Sequence, residues 1–205
     1  MIQLKNINEK LKKFILNLKI DEIQNKRLKI IDKIIKSINQ NTMNDSYPNI
    51  LFVCTHNSRR SQFAEIWSNT MNCIFKKKIK ILSAGIVKTA IHYQFINAIR
   101  DVGFKIRKKG DNYYLKYSNN YKGIKIYSKT INDINTNSSL IVINTCSDAD
   151  INCPSVPNTL ERFLLPYEDP KISDNTKFEK TKYQETCKKI ASEIFYLFSN
   201  IKKQI

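Results

Sequence analysis

The chain has 205 residues, with 35 Lys and Arg against 18 Asp and Glu, a net charge of +17 and five cysteines. That length can bury the core of one domain with an appendage, and five free thiols lack the density of a secreted disulfide scaffold. The lysines are scattered among Asn and Ile, and the short runs Lys76-Lys77-Lys78 and Arg107-Lys108-Lys109 sit at element ends; they read as solvated faces that steer small anions, not as a nucleic-acid interface.

Met1 to Glu9 holds no apolar signal core, and no stretch approaches membrane-spanning length. The expectation is a cytoplasmic protein with no membrane partner. Residues 1–40 read as two amphipathic helices. Leu4, Ile7, Leu11, Phe14, Ile15 and Leu18 recur at helical spacing; Asp21-Glu22 fit a second first turn, followed by Ile23, Leu28, Ile31, Ile34, Ile35 and Ile38. A polar linker from Gln40 ends at Pro48. This predicts a helical extension over 1–47 and a chemistry-bearing domain over 48–205.

Ile50–Val53 is a continuous apolar run, as in a parallel strand buried on both faces. It ends in Cys54-Thr55-His56-Asn57-Ser58-Arg59-Arg60-Ser61, and an amphipathic helix is predicted over 61–75. Strand, tight loop and helix form a cradle for an oxyanion, because loop N–H groups and a helix N-terminus favour negative charge at one spot. A cysteine in that field is favoured as the nucleophilic thiolate, and the planar fork of Arg60 can grip two oxygens of a tetrahedral anion. The plainer alternative is a buried structural cysteine before an ordinary helix.

Ile79–Ser83 is a second predicted strand, closed by a turn at Ala84-Gly85, and Thr89–Val102 a helix stopping at Gly103. Residues 105–137 suggest a hairpin or irregular insertion, with Tyr113–Tyr117 and Ile124–Tyr127 as its arms. Its tyrosines, Tyr113, Tyr114, Tyr117, Tyr121 and Tyr127, could wall a site or pack the hairpin. Leu140–Thr145 is a buried strand, Arg162–Leu165 a short one, and 177–202 a long helix with Tyr183, Cys187, Ile190, Ala191, Ile194 and Leu197 on one face. Alternating strands and helices predict a doubly wound parallel sheet, with ligands beyond the carboxyl ends of its strands.

Cys146 and Cys153 stand seven residues apart, the second followed by Pro154. In a helix they would be two turns and about 10 Å apart, too far for a disulfide, whose Cα atoms lie roughly 5.5 Å apart; Pro154 makes local unwinding easier. The alternatives are a switchable thiol pair, two unrelated buried cysteines, or half a metal site. No second Cys/His pair at metal spacing exists, and His56 and His92 are far apart in sequence, so no metal is predicted. Asp169, in Glu168-Asp169-Pro170, is either a general acid on a loop or part of a common Asp-Pro turn. Cys73 and Cys187 fall on apolar helix faces and read as core.

These clusters, in this order, resemble the low-molecular-weight protein tyrosine phosphatase superfamily, and most of all its thioredoxin-coupled arsenate reductase branch. The carrying residues are Val53 to Gln62 with Ala64-Glu65-Ile66-Trp67, then Ser83-Ala84-Gly85, Thr145 to Asp150 with Cys153-Pro154, and Glu168-Asp169-Pro170. The resemblance implies a three-layer α/β sandwich around a mostly parallel four-stranded sheet. It implies Cys54 as nucleophile, oxyanion binding by Thr55, His56, Asn57, Ser58, Arg59, Arg60 and Ser61, Asn57 as a brace, and Asp169 as general acid. For a reductase it implies relay of the oxidation to a Cys146–Cys153 disulfide, reduced by thioredoxin or a similar thiol reductant, with no bound cofactor. For a phosphatase, Cys54, Arg60 and Asp169 suffice to hydrolyse a phosphomonoester. The chain departs from the pattern at Arg59, where such reductases commonly carry cysteine, at the bulky His56, and in its added segments.

Overall fold

The computed structural model describes residues 4, 7–43, 46–118, 123–135, 137–152 and 154–202. Four parallel strands form the central sheet: β1 (Asn49–Cys54), β2 (Ile81–Gly85), β6 (Leu140–Asn144) and β7 (Thr159–Leu164), in the order β2-β1-β6-β7. Every residue of β1 and β6 is buried, which is why both read as unbroken apolar runs. Alternation divides them between two cores. Ile50 and Phe52 enter the larger core with α3 (Arg60–Ile74), α4 (Tyr93–Asp101) and α6 (Glu179–Asn200). Leu51 and Val53 enter a smaller core with Ala149 of α5 (Ser147–Asn152), Ile131 and Val156. The result is the predicted three-layer α/β sandwich.

The insertion is more regular than its sequence suggests. Three antiparallel strands, β3 (Lys105–Lys109), β4 (Asn112–Lys116) and β5 (Ile124–Ile126), make a second sheet. Its inner face puts Leu115 and Ile126 in the larger core. Of its tyrosines, Tyr117 is buried, Tyr114 and Tyr127 are exposed, and Tyr121 lies outside the described residues.

Several boundaries move. The second helix, α2 (Asn25–Gln40), starts after Asp21-Glu22. Strand β2 runs on through Ala84 and Gly85, which pair with Val53 and Cys54. Helix α4 begins at Tyr93 rather than Thr89, since the Thr89 hydroxyl donates to the His56 carbonyl and the Ala90 carbonyl accepts from Ser58. Cys73 is exposed, against the expectation that it is core. Lys77, expected on a solvated face, is buried, and its ammonium donates to the carbonyls of Ile201 and Lys202 at 2.8 and 2.9 Å beyond the end of α6.

The N-terminal helices share the larger core. Leu11 and Ile15 of α1 (Glu9–Leu16) and Ile31, Ile34 and Ile38 of α2 are buried in it. Asn8 caps α1 by accepting from Leu11 N at 3.0 Å, and its amide donates to Gly103 O. Gly103 has φ +115°, and a Cβ there would lie 2.6 Å from Leu11 N. Only glycine tolerates both that backbone and that approach. Gly103→Ala is therefore expected to destabilise the protein by about 2 kcal/mol or more, read as a lower urea midpoint.

Candidate active site

Cys54 ends β1, beside Gly85 of β2 and one strand away from the end of β6. Its sulfur lies 3.1 Å from the Ser61 hydroxyl and accepts from the Asn57 backbone N–H at 3.2 Å. Ser61 belongs to the first turn of α3, whose N-terminus carries no side-chain cap. Its N–H groups are thus free to face an anion.

Asn57 holds the loop in shape. Its backbone is left-handed, φ 47°, a conformation asparagine tolerates better than most residues. Its side-chain amide donates to Ser61 Oγ at 2.9 Å and to Ser83 Oγ at 2.8 Å; its oxygen accepts from Gln62 Nε2 at 2.8 Å and Lys129 N at 2.9 Å. Behind it, Ser83 donates to Glu65, and Glu65 pairs with the Lys129 ammonium at 3.1 Å, both side chains under one-tenth exposed. Gly85 lets this wall close. A Cβ there would meet Asn57 N at 2.8 Å and the His56 carbonyl carbon at 2.9 Å.

The remaining loop residues are tied outward. Thr55 O accepts from the N–H groups of Ile86 and Val87. His56 O accepts from the hydroxyls of Thr89 and Ser128, both at 3.0 Å. Ser58 donates to Ala90 O at 2.6 Å. The two arginines diverge. Arg60 donates to Tyr167 O at 3.1 Å and pairs with Asp169 at 2.5 Å, which brings the predicted clamp and acid together. Arg59 turns away to Asp174 at 2.9 Å and the Tyr183 hydroxyl at 2.5 Å. Asp169 also accepts from Lys171 N, capping the short 3-10 turn Pro170–Ser173.

Cys146 follows β6, and its sulfur is 3.6 Å from the Thr55 hydroxyl. Helix α5 occupies the interval up to Asn152, so the segment between the two predicted thiols is helical; Cys153 itself lies outside the described residues. Among the described residues, His92, Asp174 and Glu179 bring ligand atoms within 4.8 Å of one another. Both carboxylates are already committed, Asp174 to Arg59 and Tyr183, Glu179 to Tyr93 and Gln94. Burial and the Arg59 charge lower the His92 pKa, and the existing partners of the two carboxylates make the cluster part of a hydrogen-bonded rim.

Sequence reasoning assigned no role to Lys129 or Glu65. They are 64 positions apart, and only the fold joins them. Two outcomes follow from this geometry. Gly85→Ala is expected to cut kcat/KM by about 100-fold through displacement of the loop, measured by turnover of an oxyanion or aryl phosphate. Cys187 is buried against Trp67 Nε1, and burial pushes its thiol up to about 12. Iodoacetamide at pH 8 is expected to label exposed Cys73 in the folded protein and to reach Cys187 only after unfolding, read by mass spectrometry.

No family model matches the chain. The arsenate reductase of Staphylococcus aureus strain Newman is 33% identical over 133 residues, 65% of this chain and 86% of its own. Arsenate reductase 1 of Staphylococcus epidermidis is 31% identical over the same shares. Among solved structures, the arsenate reductase of Archaeoglobus fulgidus superposes with a TM-score of 0.52 at 21% identity, over 74% of this chain and 99% of that one. A low-molecular-weight protein tyrosine phosphatase from Bacillus subtilis gives 0.50 at 14%, over 74% and 95%. The solved structures show a shared fold, and the 33% identity over 86% of the Staphylococcus aureus protein places the sequence: the chain belongs to the arsenate reductase family.

Proposed function

We propose that this protein reduces arsenate to arsenite through three thiols. The Cys54 thiolate attacks arsenic, and one As–O bond breaks. The departing oxygen leaves as water with a proton supplied by Asp169, while Arg60 and the loop N–H groups hold the remaining oxygens. The Cys146 thiolate then attacks Cys54 Sγ. The S–As bond breaks with its electron pair passing to arsenic, which leaves as arsenite, and a Cys54–Cys146 disulfide remains. Cys153 attacks Cys146 Sγ, frees Cys54 and leaves a Cys146–Cys153 disulfide. Thioredoxin or a similar thiol reductant reduces that bond by exchange.

The observation that supports this reading most directly is the 3.6 Å approach of Cys146 Sγ to the Thr55 hydroxyl. It sets a second thiol against the residue that follows the nucleophile. The role of Cys153 is the one that the family resemblance implies. Hydrolysis of a phosphomonoester would need only Cys54, Arg60 and Asp169, all present here, but it leaves Cys146 beside the loop without a task. Residues 48–205 would form the catalytic domain and 1–47 its extension. No described helix is long and apolar enough to cross a membrane, and a reducing cytoplasm would suit free thiols.

The test is thioredoxin-coupled NADPH consumption with arsenate, run beside p-nitrophenyl phosphate hydrolysis. Cys54→Ser is expected to abolish both activities. Cys146→Ser is expected to abolish arsenate turnover while ester hydrolysis stays within about threefold, because the thiols act in sequence. Arsenate turnover that survives Cys146→Ser would sink the relay. Ester hydrolysis without arsenate turnover in the unmodified protein would make it a phosphatase.

A further inference from the structure

Arg27 lies on α2, in the segment to which the sequence assigned no chemistry, yet it is buried. Its guanidinium makes a two-point pair with Glu193 of α6 at 2.5 and 2.7 Å. The remaining nitrogen donates to Pro166 O at 2.7 Å, and the group lies 4.8 Å over the Tyr167 ring. The very next carbonyl, Tyr167 O, is the one that Arg60 holds at 3.1 Å. On the opposite edge, Leu165 N and Tyr167 N donate to Asn144 O and Thr145 O at the end of β6. Residues 165–167 are thus gripped by the sheet on one side and by two arginines from two helices on the other. Two residues further on stands Asp169.

We propose that Arg27 is a positioning residue for the reaction: from the N-terminal extension it fixes the 165–167 segment, and through it the placement of Asp169 and of the Arg60 side chain. The proposal rests on the reading of Cys54, Arg60 and Asp169 as the reactive group, clamp and acid. Pro166 O is satisfied by a group outside the catalytic domain, so loss of Arg27 leaves that carbonyl unpartnered and uncovers the Tyr167 ring. The segment then has only its β6 edge and the single Arg60 bond to Tyr167 O to define it. The effect passes to a proton donor, whose contribution depends on its distance from the leaving oxygen.

Removing Arg27 alone strands the buried Glu193 carboxylate and endangers folding. The test therefore pairs Arg27→Met with Glu193→Met, which replaces both charges by apolar chains of similar length. Two aryl phosphates are compared at 20 °C, below the thermal midpoint of either protein. p-Nitrophenolate leaves readily without protonation, whereas phenolate needs the acid. The expected result is that kcat/KM for phenyl phosphate falls about tenfold more than for p-nitrophenyl phosphate, as loss of general-acid assistance requires. Gly103→Ala, which loosens the same extension without touching Arg27, serves as the stability control and is expected to lower both rates equally. Equal changes for the two esters in the double variant, or a leaving-group effect of the same size in Gly103→Ala, would overturn the proposal while leaving the active-site reading intact. A wild-type protein inert towards both esters and arsenate would overturn both.

Discussion

The Asn57 carboxamide is the contact on which the active site depends. A side-chain amide has two donor hydrogens and one acceptor oxygen with two lone pairs. Here all four are used, by Ser61, Ser83, Gln62 and Lys129 N. Each neutral bond contributes only about 1 kcal/mol net, but each buried partner left unsatisfied costs about 1–3 kcal/mol. The direction of the bonds matters as much as their number. Because Ser61 Oγ accepts from Asn57, its own hydrogen is free for the Cys54 sulfur 3.1 Å away. Because Ser83 Oγ accepts from the same amide, its hydrogen goes to Glu65. One planar group therefore orients one hydroxyl hydrogen towards the Cys54 sulfur and another towards a buried carboxylate.

That carboxylate explains Lys129. An unpaired Glu65 behind the proposed oxyanion site would oppose an incoming anion, and its burial alone would be costly. The Lys129 ammonium at 3.1 Å neutralises it. Such pairs seldom add stability over apolar replacements, so the benefit lies in the field at the loop and in one fixed arrangement of Ser83 and Asn57. At the mouth, Arg59 gives its charge to Asp174 and its Nε–H to Tyr183. Arg60 is left to pair with Asp169, the carboxylate assigned as the acid.

What could be read from the sequence was local. The strand, loop and helix around Cys54 are contiguous, and their apolar runs and uncapped helix start act within a dozen residues. The same holds for β6 and the thiol that follows it. The errors fall where tertiary contacts overrode local pattern. Residues 89–91 look helical, but their polar groups serve His56 and Ser58 of the loop. Strand β3 has one apolar residue among five, so its pairing with β4 is invisible to alternation. Helix α3 is buried on nearly every side, with only Asn69, Asn72 and Cys73 less than fully covered. Because Gln62, Glu65, Ser68 and Thr70 are buried along with the apolar residues, the polar pattern offers no phase by which to see that Cys73 faces out. Arg27 and Lys129 find their partners across 166 and 64 positions, beyond any spacing rule.

The same property of α3 accounts for the N-terminal helices. A helix buried on nearly every side needs a neighbour on each of them, and this one supplies Arg60 and Ser61 from its first turn. The sheet covers one side and α6 another. Trp67, fully buried at its middle, stacks on Phe14 of α1 at 5.4 Å and meets Phe104 edge-on at 5.2 Å. Without α1 the indole face would meet water, losing on the order of 2 kcal/mol of burial, at the helix whose N-terminus must stay aimed at Cys54. Gly103, with no Cβ, lets α1 dock that closely against the end of α4. The N-terminal helices are therefore continuous with the mechanical support of the Cys54 loop: α1 closes the wall of α3, and α2 carries Arg27, which grips the segment leading to Asp169, the proposed acid.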